Sequence, residues 1–143
     1  MKSELINAEA EKTWVLVFDT GDEAIAGLVD FARQHRLAGG HFSAIGGFSD
    51  VTLGFFEFER RDYKRIPLVE QLEVLSLLGD IAEDNGEPKI HAHVVVGNSE
   101  GLARGGHLIQ AHVRPTLEVI VVEAKKHLHR RSDPRTGLAL LKL

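Results

Sequence analysis

Short apolar segments rich in β-branched residues constrain the fold of this 143-residue chain more than any other feature. They recur along the whole sequence and are bounded by glycine and other turn residues, a pattern that predicts β-strands. Because the connections between them are mostly short turns, the strands are expected to pair antiparallel. The predicted strands lie at residues 12–20, 41–48, 51–58, 70–80, 89–97, 116–124 and 137–143.

Helical spacing of apolar side chains is found in residues 22–37, which predicts one amphipathic helix. Thr20 stands three residues before Glu23, the spacing of a capping box. The pair Gly39-Gly40 is expected to end the helix in the left-handed conformation. One helix and six to eight strands predict an α+β fold with a largely antiparallel sheet.

A single domain is expected over residues 1–143, with its core in about residues 10–140, because a chain of this length can bury one sufficient core. The dipeptide Ser49-Asp50 has hairpin length, so it is predicted to link two paired strands. Residues 60–67 are polar and favour an edge or a loop, residues 98–106 favour a loop, and the pattern leaves the type of residues 107–113 undecided.

The composition limits the possible sites and partners. Cysteine is absent, so a disulfide or thiolate metal site is excluded and the eight histidines become the candidate metal ligands. The cysteine-free chain fits the cytoplasm. A net charge of -4 argues against a protein that coats DNA by charge alone. The N-terminal residues lack the apolar core of a signal peptide, and the apolar runs are too short to span a membrane.

Three histidines form the strongest candidate site. His91 and His93 alternate with apolar residues in a predicted strand, so both side chains face the same side. His107 follows the pair Gly105-Gly106, which allows close approach of the backbone, and the intervening loop is long enough to return to that side. Three imidazoles would leave one zinc coordination position open. The alternative is that these histidines are ordinary surface or hydrogen-bonded polar residues.

Other polar residues near this cluster have possible supporting roles. Arg104 could hold a carboxylate substrate beside a metal. Glu118 could orient an imidazole or act as a base, or it could be an exposed strand residue. His112 could be a fourth ligand or a partner of a ligand, and the sequence does not decide between them.

The C-terminal residues 125–135 are strongly basic. Their cations could contact phosphates, or they could keep an edge strand solvated and free of aggregation. The pair His127 and His129 repeats the spacing of two residues, but a metal ion would be repelled by the basic surroundings. The candidate nucleic-acid contacts are Lys125, Lys126, Arg130 and Arg131.

The segments "IHAHVVVGNSEGLARGGHL" and "VRPTLEVIVVE" resemble the signature of the PPC (plants and prokaryotes conserved) domain family. The signature is His-x-His, a short polar loop, Gly-Gly-His-Leu and a Thr-x-Glu strand. The segments "FSAIGGFSDVTLGFFE" and "EQLEVLSLLGDI" are similar to earlier parts of that family, so the resemblance covers roughly residues 10–140.

This resemblance implies an antiparallel sheet of about seven strands with flanking helices, usually assembled as a homotrimer. Some members bind zinc through histidines at the positions of His91, His93 and His107, and the fold is similar to that of acetolactate decarboxylase, a three-histidine zinc enzyme. Plant members carry an AT-hook and bind DNA, but this chain has no Arg-Gly-Arg-Pro core. At the position of the family's Arg-Phe pair it has Gln71-Leu72. This difference argues against a partner-binding role for that segment in this chain.

Two functions of different classes follow. The first is a stand-alone, homotrimeric binding protein whose histidines hold zinc and whose partner is DNA or another protein. The second is a zinc-dependent lyase or hydrolase that acts on a small carboxylate. Three-histidine ligation with an open position favours the enzyme, and the family association with DNA favours the binding protein, so whether the protein is an enzyme is left open here.

Overall fold

A computed structural model describes residues 1–7 and 11–142. Over these residues the chain forms one helix and a nine-stranded, almost entirely antiparallel sheet, which confirms the predicted α+β class. The elements are β1 (Lys2–Asn7), β2 (Thr13–Asp19), α1 (Ala24–His35), β3 (Gly39–Glu57), β4 (Asp62–Leu68), β5 (Leu72–Asp84), β6 (Glu87–Gly97), β7 (Ala103–Glu123), β8 (His129–Ser132) and β9 (Ala139–Lys142).

The sheet closes partly on itself. The main path runs in the order β1-β2-β7-β3-β5-β8-β9, with β4 beside β3. Strand β6 pairs with both β5 and β7, so β3, β5, β6 and β7 form a ring of paired strands. This closure brings the start of β7 next to β6, although β7 also runs along β3.

The helix starts and ends differently from the prediction. Its N-cap is Glu23, whose carboxylate accepts hydrogen bonds from the backbone N–H groups of Ile25 and Ala26, while the predicted cap Thr20 donates its hydroxyl to Pro115 O. The left-handed residue after the helix is Arg36, with φ 53°. The prediction that Gly39-Gly40 ends the helix in this conformation is therefore wrong. A glycine pair marks a helix end or a close strand contact equally well, and here it begins β3.

Strand β3 is continuous where a hairpin was predicted. Ser49-Asp50 lies inside Gly39–Glu57, and the register of β3 with β7 shifts on either side of Phe48. These irregularities let one long strand bend without a turn. A Cβ atom at Gly46, where φ is 149°, would lie 2.3 Å from Thr116 O, so this bend needs glycine.

Strand β7 joins two segments that the sequence separated. The loop predicted over residues 98–106 is shorter than expected, because β7 already begins at Ala103. Residues 107–113 and 116–123 belong to this same strand. The prediction of a strand in residues 70–80 is confirmed by β5, and the polar residues 60–67 contribute to strand β4, beside β3. Residue 143 of the last predicted strand lies outside the described residues.

The core lies between the sheet and α1. Trp14 and Phe18 of β2 pack with Leu28 and Phe31 of the helix, and all four are at most 4% exposed. Alternate strand residues point to the opposite face of the sheet, where several large apolar side chains are exposed. Within the described residues, no helix combines the length and the apolar character needed to cross a membrane.

Candidate metal centre

The three predicted histidines come together on neighbouring strands. His91 and His93 lie on β6, and His107 of β7 is the direct cross-strand partner of His93. One ring nitrogen from each lies within 4.8 Å of the other two. Two nitrogens bound to one zinc ion are at most about 4 Å apart, because each Zn–N bond is about 2.0–2.1 Å. Small side-chain rotations therefore suffice for all three to bind one ion.

The local sequence explains this convergence. Ala92 and Val94 are buried in the core, so strand alternation turns the two flanking histidines to the other face. A Cβ at Gly105 would lie 2.9 Å from Val94 O, and one at Gly106 would lie 2.9 Å from Gly54 O. The glycine pair thus lets β7 fit tightly between β6 and β3, and this fit carries His107 to the cluster.

The electrostatics of the cluster favour the neutral form of His93 and His107. Burial, followed by the proximity of His91 and His93, lowers the pKa of His107 to about 4. Burial and His91 also lower the pKa of His93. Neutral imidazole is the form that binds a metal. The Nδ1 atom of His107 is buried and has no hydrogen-bond partner among the described residues, an unsatisfied state that a bound ion at this cluster would relieve if Nδ1 were the ligand atom.

A carboxylate that sequence reasoning missed stands beside the cluster. Asp80 of β5 is the cross-strand partner of His91, with its Oδ2 atom 3.7 Å from His91 Nδ1. Its other oxygen accepts a hydrogen bond from Arg130, whose side chain is 4% exposed. Burial would raise the pKa of Asp80, but His91 and Arg130 together lower it. Carboxylates in this position orient metal-bound imidazoles.

Tyr63 is a second residue that the sequence did not single out. Its ring stacks on the imidazole of His107, with centroids 4.5 Å apart. Burial raises the pKa of its phenol, which therefore stays protonated near neutral pH. Asp80 is opposite His91 on the neighbouring strand, and Tyr63 reaches His107 from β4, which pairs with β3. Both placements depend on strand registers that the local sequence does not show.

The structure does not bring the other predicted residues to the imidazoles. Arg104 lies an odd number of residues from His107 on β7, so it points to the other face, where its guanidinium is 3.9 Å from Glu70. Glu118 is exposed at the far end of β7, beside Ile45 and Leu75. His112 bonds to Asp50 through Nδ1, 2.9 Å away, and is not among the three clustered histidines.

The C-terminal basic residues divide into two groups. Lys125, Lys126 and Arg131 are exposed, whereas Arg130 is buried and faces Asp80. His129 lies 3.5 Å from Glu83, near the C-terminal end of β5, and is not among the three clustered histidines. Of the four cations considered for phosphate contact, three therefore remain at the surface.

Comparison with known proteins supports the family resemblance. The sequence model of the Plants and Prokaryotes Conserved (PCC) domain, the family abbreviated PPC above, matches residues 6–125. A "Bifunctional protein GlmU" from Synechococcus sp. (strain JA-3-3Ab) is 34% identical over 110 residues, 75% of this chain. The chain spans only 16% of the length of that relative.

Two solved structures share the fold over almost the whole chain. A metal-containing protein from Archaeoglobus fulgidus is 29% identical, with a TM-score of 0.85 over 99% of this chain and 97% of that one. A "Putative DNA-binding protein" from Ralstonia eutropha JMP134 is 30% identical, with a TM-score of 0.85 over 91% of this chain and 90% of that one.

Proposed function

The chain belongs to the Plants and Prokaryotes Conserved domain family, and from that premise we propose that it is a single-domain, zinc-binding member whose ligands are His91, His93 and His107. The observation that carries the proposal is the approach of three ligand atoms to within 4.8 Å of one another. A relative that is 29% identical is described as metal-containing. Three neutral nitrogen donors suit zinc and leave a fourth position for water or a ligand.

Metal content tests this proposal. The protein is purified without a histidine tag and without chelator, and zinc is measured by elemental analysis. We expect about one zinc per chain in the wild type, loss in His91→Ala, and retention in the matched control His127→Ala. Equal metal in all three proteins, or none in the wild type, would contradict the proposal.

The proposed assembly is a homotrimer, as the family resemblance implies. On the sheet face away from α1, the side chains of Ile45, Leu75 and Leu78 are 61%, 54% and 60% exposed. Contact between subunits would remove this apolar surface from water. Sedimentation equilibrium should give three times the chain mass of 15.8 kDa. Leu78→Arg should lower that mass, whereas Val69→Arg, at a turn position 87% exposed, should not. A monomeric wild type would refute the trimer.

An association with DNA is the second candidate function. The Ralstonia eutropha relative, 30% identical, is described as a "Putative DNA-binding protein". Lys125, Lys126 and Arg131 are exposed cations that could contact phosphates. Fluorescence anisotropy with a labelled duplex should show weak, salt-dependent binding. The Lys125→Ala/Lys126→Ala variant should reduce the salt slope by about two, whereas Lys89→Ala, which removes a lysine paired with Asp84, should not. If both variants bound the duplex with the salt dependence of the wild type, the surface around Lys125 and Lys126 would be excluded as the DNA-binding site.

Catalysis is the alternative role of the metal centre, as a zinc-dependent lyase or hydrolase that acts on a small carboxylate. A bound zinc ion would supply Lewis-acid polarisation of a substrate oxygen. The favouring observation is a cavity of about 240 Å³ that His91 and His107 line together. Screening small carboxylates for turnover with wild type and His91→Ala tests this alternative, since turnover that persists in the variant would not come from this site.

A further inference from the structure

The C-terminal hairpin β8–β9 forms one wall of the cavity beside the histidines. The segment Gly137–Leu140 faces Tyr63, His91 and His107 across a space of about 240 Å³. The family model ends at residue 125, so this wall lies beyond the part of the chain that the model matches.

The hairpin is held to the candidate metal centre by a buried arginine. Arg130 of β8 donates one hydrogen bond to Ala139 O of β9, 3.0 Å away, and another to Asp80 beside His91. Its side chain is 4% exposed, so water screens these contacts little. Because this guanidinium, carried by β8, contacts both β9 and the carboxylate next to the cluster, the wall keeps a fixed position relative to the histidines.

The lining indicates the chemistry of a ligand. Lys89 and Arg130 also line the cavity, but Lys89 is paired with Asp84 and Arg130 with Asp80. The positive charge available to a ligand would be that of an ion held by neutral imidazoles, and none of the described residues that line the cavity is acidic. Ile90, Leu138 and Leu140 supply an apolar surface. A volume below the roughly 300–1,000 Å³ of sites for drug-sized ligands limits the ligand to a small molecule. The combination fits a small anion with a compact apolar group.

We propose that the C-terminal hairpin selects the ligand of the metal centre, a small monocarboxylate whose hydrocarbon or aryl group packs against Leu138. The carboxylate would lie at the open metal position, and Leu138 would contact the apolar group. This inference rests on the proposed metal centre and adds the apolar group of the carboxylate ligand and the element that discriminates among such ligands.

Cobalt substitution provides a test that is independent of activity. Co²⁺ is added to the metal-free protein, and the visible spectrum of the bound ion is followed during titration with benzoate and, separately, acetate. The variants are Leu138→Ala and, as a matched control, Leu141→Ala on the same hairpin, whose side chain is 45% exposed and lies outside the cavity lining.

We expect benzoate to change the wild-type spectrum at lower concentration than acetate does. Leu138→Ala should weaken benzoate about fivefold, because part of an apolar contact is lost, and should leave acetate unchanged. Leu141→Ala should match the wild type for both. Equal benzoate affinity in the two variants, with cobalt bound, would overturn the hairpin proposal alone. Failure of the wild type to bind cobalt would overturn the metal centre and this inference together.

Discussion

Two histidines on strand β7 lie in opposite environments. His107 is packed against Tyr63 and two other imidazoles, and burial and those imidazoles lower its pKa to about 4. His112 is 40% exposed and lies 2.9 Å from Asp50 Oδ1. Hydrogen bonding to Asp50 raises the pKa of His112, and the same bond lowers the pKa of Asp50.

The difference shows that surroundings, more than residue type, decide which histidine can serve as a ligand. A neutral imidazole offers a lone pair to a metal, whereas an imidazolium offers none. Burial within the cluster favours the neutral form of His93 and His107, while Asp50 favours the cationic form of His112. One end of the strand is therefore suited to a metal and the other to an ion pair.

The largest effect is expected from removing the ligand itself. Zinc at about one thousand times its dissociation constant should stabilise the wild type by about 4.1 kcal/mol, which corresponds to a rise in Tm of roughly 12 °C for a chain of this size. His107→Ala should abolish that rise, and His112→Ala should keep it. Differential scanning fluorimetry with and without zinc measures both variants, and a rise that survives in His107→Ala would remove the distinction between the two histidines.

The second-largest effect is expected when the metal-free protein is acidified, because its stability should then decrease. Because the pKa of His107 is about 4 when folded and about 6.5 when unfolded, the unfolded chain binds the proton first. The free energy of unfolding should therefore fall as pH falls from about 6.5 to about 4, by at most about 3 kcal/mol from this group. Urea unfolding of wild type and His107→Gln across that range isolates the contribution.

The control for the acid experiment is His112→Gln, which should lose as much stability in acid as the wild type or slightly more. His107→Gln should lose less than either. If His107→Gln and the wild type lost the same stability between those pH values, the low pKa of His107 would be refuted.

The metal cluster was predictable because its signals are local. The alternation His91-x-His93 fixes a shared face within one strand, and the glycine pair before His107 marks a close approach of two backbones. The length of the connecting loop was misjudged, since glycines that permit tight strand packing look the same in sequence as glycines that form a loop.

The partners of these histidines could not be predicted, because they depend on register between distant strands. Asp50 and His112 are 62 positions apart, and Arg130 and Asp80 are 50 apart. The shifts in the pairing of β3 with β7 decide which residues meet. A change of register by one residue would turn Asp50 to the other face. The predicted hairpin would instead have placed Asp50 in a turn, whereas Asp50 lies within β3 opposite His112.

A smaller effect should come from the carboxylate beside the cluster. Asp80→Asn should lower zinc affinity about tenfold, because the amide orients His91 less strongly than the carboxylate does. Asp84→Asn is the matched control on β5, since its carboxylate pairs with Lys89, 3.0 Å away. Competition with a chromophoric chelator measures both, with circular dichroism confirming the fold. Equal zinc affinities in the two variants would show that Asp80 binds Arg130 but does not orient His91.

The smallest effect belongs to the exposed ion pair. The raised pKa of His112 means that its contribution is fully present below about pH 6.5 and is lost as pH rises through its folded value, while the lowered pKa of Asp50 means that its contribution is lost only in acid. Asp50→Asn should therefore cost less than about 1 kcal/mol near pH 6 and almost nothing near pH 9. In NMR titrations the pKa of His112 should fall in this variant while that of His107 stays low. A cost that is the same at both pH values would assign Asp50 a packing role, and His112 would then no longer be the charged counterpart of His107.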